Sequence, residues 1–141
     1  MGPKRIMVLC TGNSCRSQMA EGFLRELGGQ RVEAHSAGLL ATEVHPRAMA
    51  VMAEEGIDLS AHSSKQIEPK LLQSMDLVVT VCDNAAEGCP YVPPHVKKLH
   101  RPIRDPVNTV GTEEEIMADF RRARDEIKKI IVQVLDQFSL Q

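Results

Sequence analysis

One stretch of eight residues constrains the fold of this chain more than any other: Cys10-Thr11-Gly12-Asn13-Ser14-Cys15-Arg16-Ser17. A short apolar run, residues 6–9, leads directly into it, and apolar residues at helical spacing follow it. Five residues separate Cys10 from Arg16, which is the Cys-x5-Arg spacing of a catalytic loop that binds an oxyanion. Inward-facing amides and a helix N-terminus form a pocket for a tetrahedral anion. The pattern predicts that Cys10 is a catalytic thiolate and that Arg16 binds the anion.

The residues between and after these two are predicted to complete the site. The predicted oxyanion loop comprises Thr11, Gly12, Asn13, Ser14, Cys15, Arg16 and Ser17. Ser17 is a candidate hydrogen-bond donor to the Cys10 thiolate, or alternatively an ordinary residue of the first helical turn. Cys15 could form half of a zinc site with Cys10, but no Cys-x2-Cys pair or His cluster follows. We therefore expect no metal site and a Cys15 side chain that packs inward and is inert.

Two further cysteines, Cys82 and Cys89, stand near the end of a predicted strand and in the loop after it. One interpretation is a buried cysteine followed by an incidental surface cysteine. The other is a resolving pair, in which Cys82 attacks a sulfur on Cys10 and Cys89 then attacks Cys82. A relay of this kind needs a mobile loop, because the sulfurs must approach to about 2.05 Å in turn. The spacing alone leaves both interpretations open.

Asp105, followed by Pro106, is the candidate general acid. Asp-Pro is also a common turn dipeptide, so a purely structural role is the alternative. Thiolate attack on an oxyanion requires a proton for the departing oxygen, and a carboxylic acid near the pocket can supply it. The competing candidates His62, His95 and His100 have no comparable local signal, and we expect them to be solvated surface histidines.

The order of predicted elements is strand, helix, strand, helix, helix, strand, strand, helix. The predicted ranges are strands over 5–10, 31–37, 76–82 and 96–99, and helices from 17 to Gly28, from Pro46 to before Gly56, over 67–75 and from Thr112 to 138. Thr112 and Glu115 have the spacing of a capping box. Alternating elements of this kind predict a single α/β domain over residues 1–141, with an open parallel sheet of about four strands and helices on both faces.

Composition limits the function classes. The chain has 141 residues and a formal net charge of −2, so it lacks the basic surplus that nucleic-acid binding requires. Its longest apolar runs are far shorter than the roughly 20 residues of a membrane span. The four cysteines would be reduced in the cytoplasm, which we expect to be the compartment, and would then be catalytic, redox-active or metal-binding rather than structural.

Together these motifs resemble the thioredoxin-coupled arsenate reductases, which share the fold of the low-molecular-weight tyrosine phosphatases. The matching stretches are residues 8–22, 36–38 and 76–82, with Cys89-Pro90, Pro93-Pro94 and Asp105-Pro106. Phosphatases of this fold share the Cys-x5-Arg loop and the Asp-Pro acid. They normally carry aromatic residues after that acid, where this chain has Val107 and Asn108. The set of three cysteines distinguishes the reductases from the phosphatases.

The resemblance implies reduction of arsenate to arsenite, in the service of arsenic detoxification. By resemblance, Cys10 attacks arsenate held by Arg16 and the loop amides, and Asp105 protonates the leaving oxygen. Cys82 and Cys89 then carry the disulfide outward, where thioredoxin reduces it. We expect a monomer with no bound cofactor and no nucleic-acid or membrane partner, and phosphate or sulfate should mimic the substrate.

Some relatives bind potassium beside the loop, through positions that correspond to Asn13, Glu21, Ser36 and an acidic residue. Here the last position corresponds to Lys65, so we expect no potassium site: an ammonium could take the place of the ion, or Lys65 could simply point to solvent. Two other functions remain open from the sequence. One is a phosphatase acting on phosphoproteins or small phosphate esters. The other is a sensor whose cysteines bind arsenite or zinc, which would leave Arg16 and Asp105 without a role.

Overall fold

A four-stranded parallel sheet forms the centre of the computed structural model, which describes residues 2–83 and 91–138. The strands are β1 (Lys4–Cys10), β2 (Val32–Gly38), β3 (Leu77–Thr80) and β4 (Lys97–His100). The helices are α1 (Arg16–Gly28), α2 (Pro46–Ala53), α3 (Pro69–Gln73) and α4 (Glu113–Gln137). The strands lie in the order β2-β1-β3-β4, and all three neighbouring pairs are parallel. The predicted α/β class and four-stranded sheet are confirmed.

Helices cover both faces of the sheet, as the sequence predicts. Ile6 and Val8 of β1 belong to a buried cluster with α1, α2 and α4, whereas Met7 and Leu9 belong to a second cluster with α3. All four of these side chains are at most 1% exposed. A strand buried on both faces must be apolar at every position, and this explains the continuous run before the loop.

Several elements are shorter or shifted relative to prediction. The predicted strand over 76–82 is β3, which ends at Thr80, where its pairing with β4 also ends. Cys82 therefore lies two residues beyond the strand rather than at its end. The chain still runs beside the sheet, because the Val81 amide donates to Leu9 O at 3.0 Å. The predicted helix over 67–75 is reduced to the single short turn of α3, which starts at its proline.

The strand order explains where a ligand can bind. Strand β1 pairs with β2 on one side and with β3 on the other. The segments that leave β1 and β3 therefore diverge at one edge of the sheet, which is where open α/β sheets bind ligands. The predicted capping box fixes the start of α4, with Thr112 and Glu115 each bonding the other's backbone. None of the helices in the described ranges has the length and apolarity required to cross a membrane.

Candidate active site

A cavity of about 250 Å³ lies at this edge of the sheet. Its lining residues are Cys10, Thr11, Gly12, Ser14, Cys15, Arg16, Thr42, Asp105 and Val107. The cavity thus brings together the predicted nucleophile, most of the predicted oxyanion loop and the predicted acid. Its volume suits a small anion. Thr42 and Val107 line it, whereas an aromatic substrate would need aromatic side chains to pack against its ring.

The Cys10 sulfur is held by a series of buried hydrogen bonds. It lies 2.8 Å from the Ser17 hydroxyl, and that hydroxyl accepts a hydrogen bond from Asn13 Nδ2 at 2.8 Å. The orientation of the Asn13 amide is fixed in turn, because its Oδ1 accepts from Gln18 Nε2 at 3.0 Å and from the Lys65 amide at 2.7 Å. With its oxygen already accepting from Asn13, Ser17 has its proton available for the sulfur. The Ser17 hydroxyl is thereby positioned to donate a hydrogen bond to the Cys10 sulfur.

Arg16 is the first residue of α1 and is only 3% exposed. Its Nη1 donates to Ile103 O at 2.9 Å and to Val81 O at 3.3 Å, and its Nη2 lies 3.3 Å from Asp105 Oδ2. A guanidinium is unfavourable at the positive end of a helix, and these three acceptors offset that cost. Arg16 thereby connects the oxyanion loop to the segments after β3 and β4.

The segment that carries Asp105 is anchored to α4 through Asp119. This carboxylate accepts hydrogen bonds from Arg104 Nη2 at 2.8 Å, from Arg122 Nε at 2.9 Å and from the Thr109 hydroxyl. Burial alone would raise the pKa of Asp119, but these hydrogen bonds lower it to about 2. Asp119 is therefore ionised at neutral pH and holds both ends of the segment around the predicted acid.

The remaining cysteines lie in different surroundings. Cys10 and Cys15 are free thiols, and burial, followed by the negative charge of Asp105, raises the pKa of Cys15 far above its usual range. This fits the expected inert role, although Cys15 also lines the cavity. Cys82 is fully buried next to Val81 and does not line the cavity. Cys89 lies outside the described residues, so the relay from Cys82 to Cys89 stays a prediction.

Comparison with known proteins places this site in a family. The sequence model of the low molecular weight phosphotyrosine protein phosphatases matches residues 5–141. The chain belongs to this family. It is 50% identical over 127 residues to an arsenate reductase of Bacillus licheniformis, a match that covers 90% of this chain and 91% of that protein. The resemblance to the arsenate reductases is thereby confirmed.

Solved structures agree with this assignment. An arsenate reductase in a phosphate-binding state superposes with a TM-score of 0.78 at 33% identity, over 95% of this chain and 98% of that one. A thioredoxin-dependent arsenate reductase of Corynebacterium glutamicum superposes with a TM-score of 0.66 at 25% identity, over 94% of this chain and 64% of that one. The phosphatase-family fold predicted from the sequence is therefore confirmed.

In this member of the phosphatase family, a cluster around Glu21 lies below the oxyanion loop. The Glu21 carboxylate accepts from the Ser36 hydroxyl at 2.5 Å and from Arg25 Nε at 2.8 Å, and Lys65 Nζ is 3.8 Å away. Burial alone would raise the pKa of Glu21, but these hydrogen bonds keep it below its ordinary value. An ammonium already supplies positive charge at this carboxylate, so the residue set does not fit a potassium ion.

His62 departs from the expectation of a solvated surface histidine. Its side chain is 11% exposed, and its Nδ1 lies 3.0 Å from Gln18 Oε1 and 3.6 Å from Glu21 Oε2. Burial lowers the pKa of His62, so the imidazole is neutral at physiological pH. His95 is exposed as expected, and His100 is exposed while its Nδ1 contacts the Thr80 hydroxyl at 2.7 Å. Within residues 2–83 and 91–138, no three His, Cys, Asp or Glu side chains form a group able to hold a metal ion.

Three parts of the site give no signal in the sequence. Thr42 and Ser64 bond the oxyanion loop from segments 30 and 52 residues away, and Asp119 supports the acid segment from α4. Each is an ordinary polar residue in a polar stretch.

Proposed function

We propose that this chain reduces arsenate to arsenite through a thiol/disulfide relay of Cys10, Cys82 and Cys89. The observation that carries the proposal is that one anion-sized cavity holds the Cys10 thiol, the Arg16 guanidinium and the Asp105 carboxylate. The relatives named arsenate reductase support the choice of substrate. The mouth of the cavity, with Thr42 and Val107, supports a small inorganic anion over an aromatic phosphate ester.

In the first step, arsenate binds to the loop amides and to Arg16. The Cys10 thiolate attacks arsenic(V), and an oxygen of arsenate leaves as water after it takes a proton from Asp105. The product is a covalent Cys10–arsenic(V) adduct. The Ser17 hydroxyl, 2.8 Å from the sulfur, stabilises the thiolate before attack.

In the second step, the Cys82 thiolate attacks the Cys10 sulfur of this adduct. A Cys10–Cys82 disulfide forms, the sulfur–arsenic bond breaks, and its electron pair remains on arsenic, which leaves as arsenite. Two thiols are oxidised and arsenic(V) is reduced to arsenic(III), so the electrons balance. Cys89 then attacks Cys82, releases the Cys10 thiolate and forms a Cys82–Cys89 disulfide.

We further propose that thioredoxin reduces the Cys82–Cys89 disulfide. A disulfide at Cys10 would be inaccessible, because Cys10 is only 2% exposed, so the oxidising equivalents must move outward before a protein can remove them. The relative from Corynebacterium glutamicum that is named thioredoxin-dependent supports this reductant. A reducing compartment such as the cytoplasm would keep the thiols active between turnovers.

The test is arsenate-dependent oxidation of NADPH in the presence of thioredoxin and thioredoxin reductase. We expect turnover by the wild type and none by Cys10→Ser, Cys82→Ser or Cys89→Ser. Ser60→Ala, at an exposed position that does not line the cavity, is the control and should turn over like the wild type. Normal turnover by all three relay variants would show that the relay is wrong.

The family match favours one second candidate, a phosphatase, because phosphate and arsenate have the same shape. An aryl phosphate assay on the same proteins separates the two functions. We expect Cys82→Ser and Cys89→Ser to keep any phosphatase activity of the wild type, and Cys10→Ser to lose it. Strong phosphatase activity in a wild type that does not turn over arsenate would favour the second candidate.

A further inference from the structure

The carbonyl of Gly12, in the middle of the oxyanion loop, accepts two side-chain hydrogen bonds. The Thr42 hydroxyl donates to it at 3.0 Å and the Ser64 hydroxyl donates at 2.9 Å. The two donors are themselves joined, because the Thr42 amide donates to Ser64 Oγ at 2.8 Å. We call this pair, Thr42 and Ser64, the Gly12 clamp. Neither residue is part of the Cys-x5-Arg motif, and the steps proposed above use neither.

The peptide that follows this carbonyl needs such support. Asn13 has a φ of 47°, which makes it the single non-glycine residue with positive φ in the described part of the chain. Its side chain is held by Gln18 and by the Lys65 amide, as described above. The loop also rests closely on Gly38, where a Cβ would approach Asn13 N to 2.7 Å. Asparagine is one of the few non-glycine residues that adopt the left-handed conformation, and these contacts from Gln18 and Lys65 hold Asn13 in it.

We propose that Thr42 and Ser64 are positioning residues for oxyanion binding, which fix the orientation of the Gly12–Asn13 peptide. Gly12 has no side chain to restrict its backbone, so without the clamp this peptide can rotate and turn its carbonyl oxygen toward the bound anion. With two hydroxyl donors engaged, that oxygen cannot turn without breaking both hydrogen bonds. The clamp therefore keeps the loop ready to present amides to the anion before the anion arrives.

The proposal concerns the site of the proposed arsenate reduction, but it can be tested through anion binding alone. The probe is inorganic phosphate, measured as the dissociation constant by calorimetry and as protection of Cys10 from iodoacetamide. Thr42→Val and Ser64→Ala each remove one hydroxyl while nearly preserving shape. We expect each to weaken phosphate binding about three- to tenfold, and the double variant to weaken it further.

Two controls distinguish positioning from general loss of structure. Thr42→Ser keeps the hydroxyl and should restore phosphate binding to within about twofold of the wild type. Ser63→Ala changes an exposed neighbour of Ser64 that is outside the clamp, and binding should be unchanged. In arsenate turnover, the clamp variants should raise KM more than they lower kcat. They change the orientation of the Gly12–Asn13 peptide and leave the thiol and the acid in place.

Phosphate binding that is unchanged in the double variant, with melting temperature preserved, would overturn the proposal. Equal loss of binding in Thr42→Val and Thr42→Ser would also overturn it, since the hydroxyl would then be irrelevant. A wild type that binds phosphate normally but does not reduce arsenate would refute the proposed function and leave the clamp intact. The two proposals therefore fail on different measurements.

Discussion

The Arg16 guanidinium lies 3.3 Å from the Asp105 carboxylate, across the mouth of the oxyanion loop. The Arg16 side chain is 3% exposed and the Asp105 side chain is 30% exposed, so the pair joins a buried cation to an acid that solvent can reach. An anion that enters the cavity competes with Asp105 for the same guanidinium. Binding of substrate therefore weakens the contact between Arg16 and Asp105, the residue proposed as the acid.

Asp105→Asn should lower kcat for arsenate by about a hundredfold, because the amide cannot protonate the departing oxygen. Binding of phosphate should be nearly unchanged or slightly tighter, since the competing carboxylate charge is removed. Calorimetry and the coupled NADPH assay measure the two quantities separately. Asp136→Asn, at an exposed position of α4, is the control. A kcat within threefold of the wild type would remove Asp105 from the mechanism.

Ser17→Ala should slow alkylation of Cys10 by iodoacetamide about tenfold at pH 7. The thiolate loses its nearest hydrogen-bond donor, and hydrogen bonds to charged groups are worth about 1.5–3 kcal/mol. Mass spectrometry of the peptide that contains Cys10 reports the rate without interference from the other cysteines. Ser60→Ala, at an exposed site, should react like the wild type. An unchanged rate in Ser17→Ala would mean that the loop alone supports the thiolate.

Asp119→Asn should destabilise the protein by about 2 kcal/mol at pH 7, because the pKa of Asp119 is about 2 in the folded protein against 3.8 without its partners. A lowered pKa stabilises the fold at pH values above 3.8, and that contribution is lost as the pH falls toward 2. Denaturant unfolding at several pH values should therefore show a difference in the free energy of unfolding between wild type and variant that becomes smaller as the pH falls. A difference in the free energy of unfolding that does not depend on pH would contradict the ionised state of Asp119.

The same variant has a functional consequence. Because Asp119 holds Arg104 and Thr109 on either side of Asp105, Asp119→Asn should lower kcat for arsenate while phosphate binding is retained. Asp125→Asn, at an exposed position on α4, provides the matched comparison. Loss of phosphate binding and turnover together would indicate that the oxyanion loop itself had been disturbed.

Glu21→Gln should destabilise the protein by about 1–3 kcal/mol at neutral pH, since the amide accepts weaker hydrogen bonds from Ser36 and Arg25. The pKa of Glu21 is lowered, so its contribution is complete above the ordinary value of 4.5 and is lost as the pH falls through the folded value. The difference in free energy of unfolding should therefore shrink below about pH 4. Glu26→Gln, exposed on the same helix, should show no such difference.

Replacement of sodium by potassium should not change the melting temperature of the wild type, because Lys65 already places an ammonium 3.8 Å from Glu21. Lys65→Asp should destabilise the protein in sodium and regain stability in potassium, since a second carboxylate would then face Glu21. Lys70→Asp, at an exposed position, tests for a general effect of charge. A wild type stabilised by potassium would show that the ammonium does not fill this role.

The sequence predicts the local parts of this site well and the distant parts poorly. Cys10, Arg16 and Ser17 lie within one strand–loop–helix unit, so their spacing alone determines that they meet. Asp105 was identifiable from its proline and from the family resemblance. Thr42, Ser64 and Asp119 were not, because their contacts depend on how segments 15 to 52 residues apart pack. His62 was expected on the surface for the same reason. A distant segment buries it, and the residues adjacent to a histidine in sequence do not indicate such burial.

The protonated state of Cys15 has a consequence for the charge balance of the cavity. Arsenate arrives as an anion and meets the Cys10 thiolate, with the Asp105 carboxylate nearby and Arg16 as the lining cation. A second thiolate in the same cavity would repel the anionic substrate from the loop that binds it. Because burial raises the pKa of Cys15 far above its usual range, this sulfur stays protonated and neutral at neutral pH. A loop with two cysteines thus presents a single negative sulfur to an incoming anion.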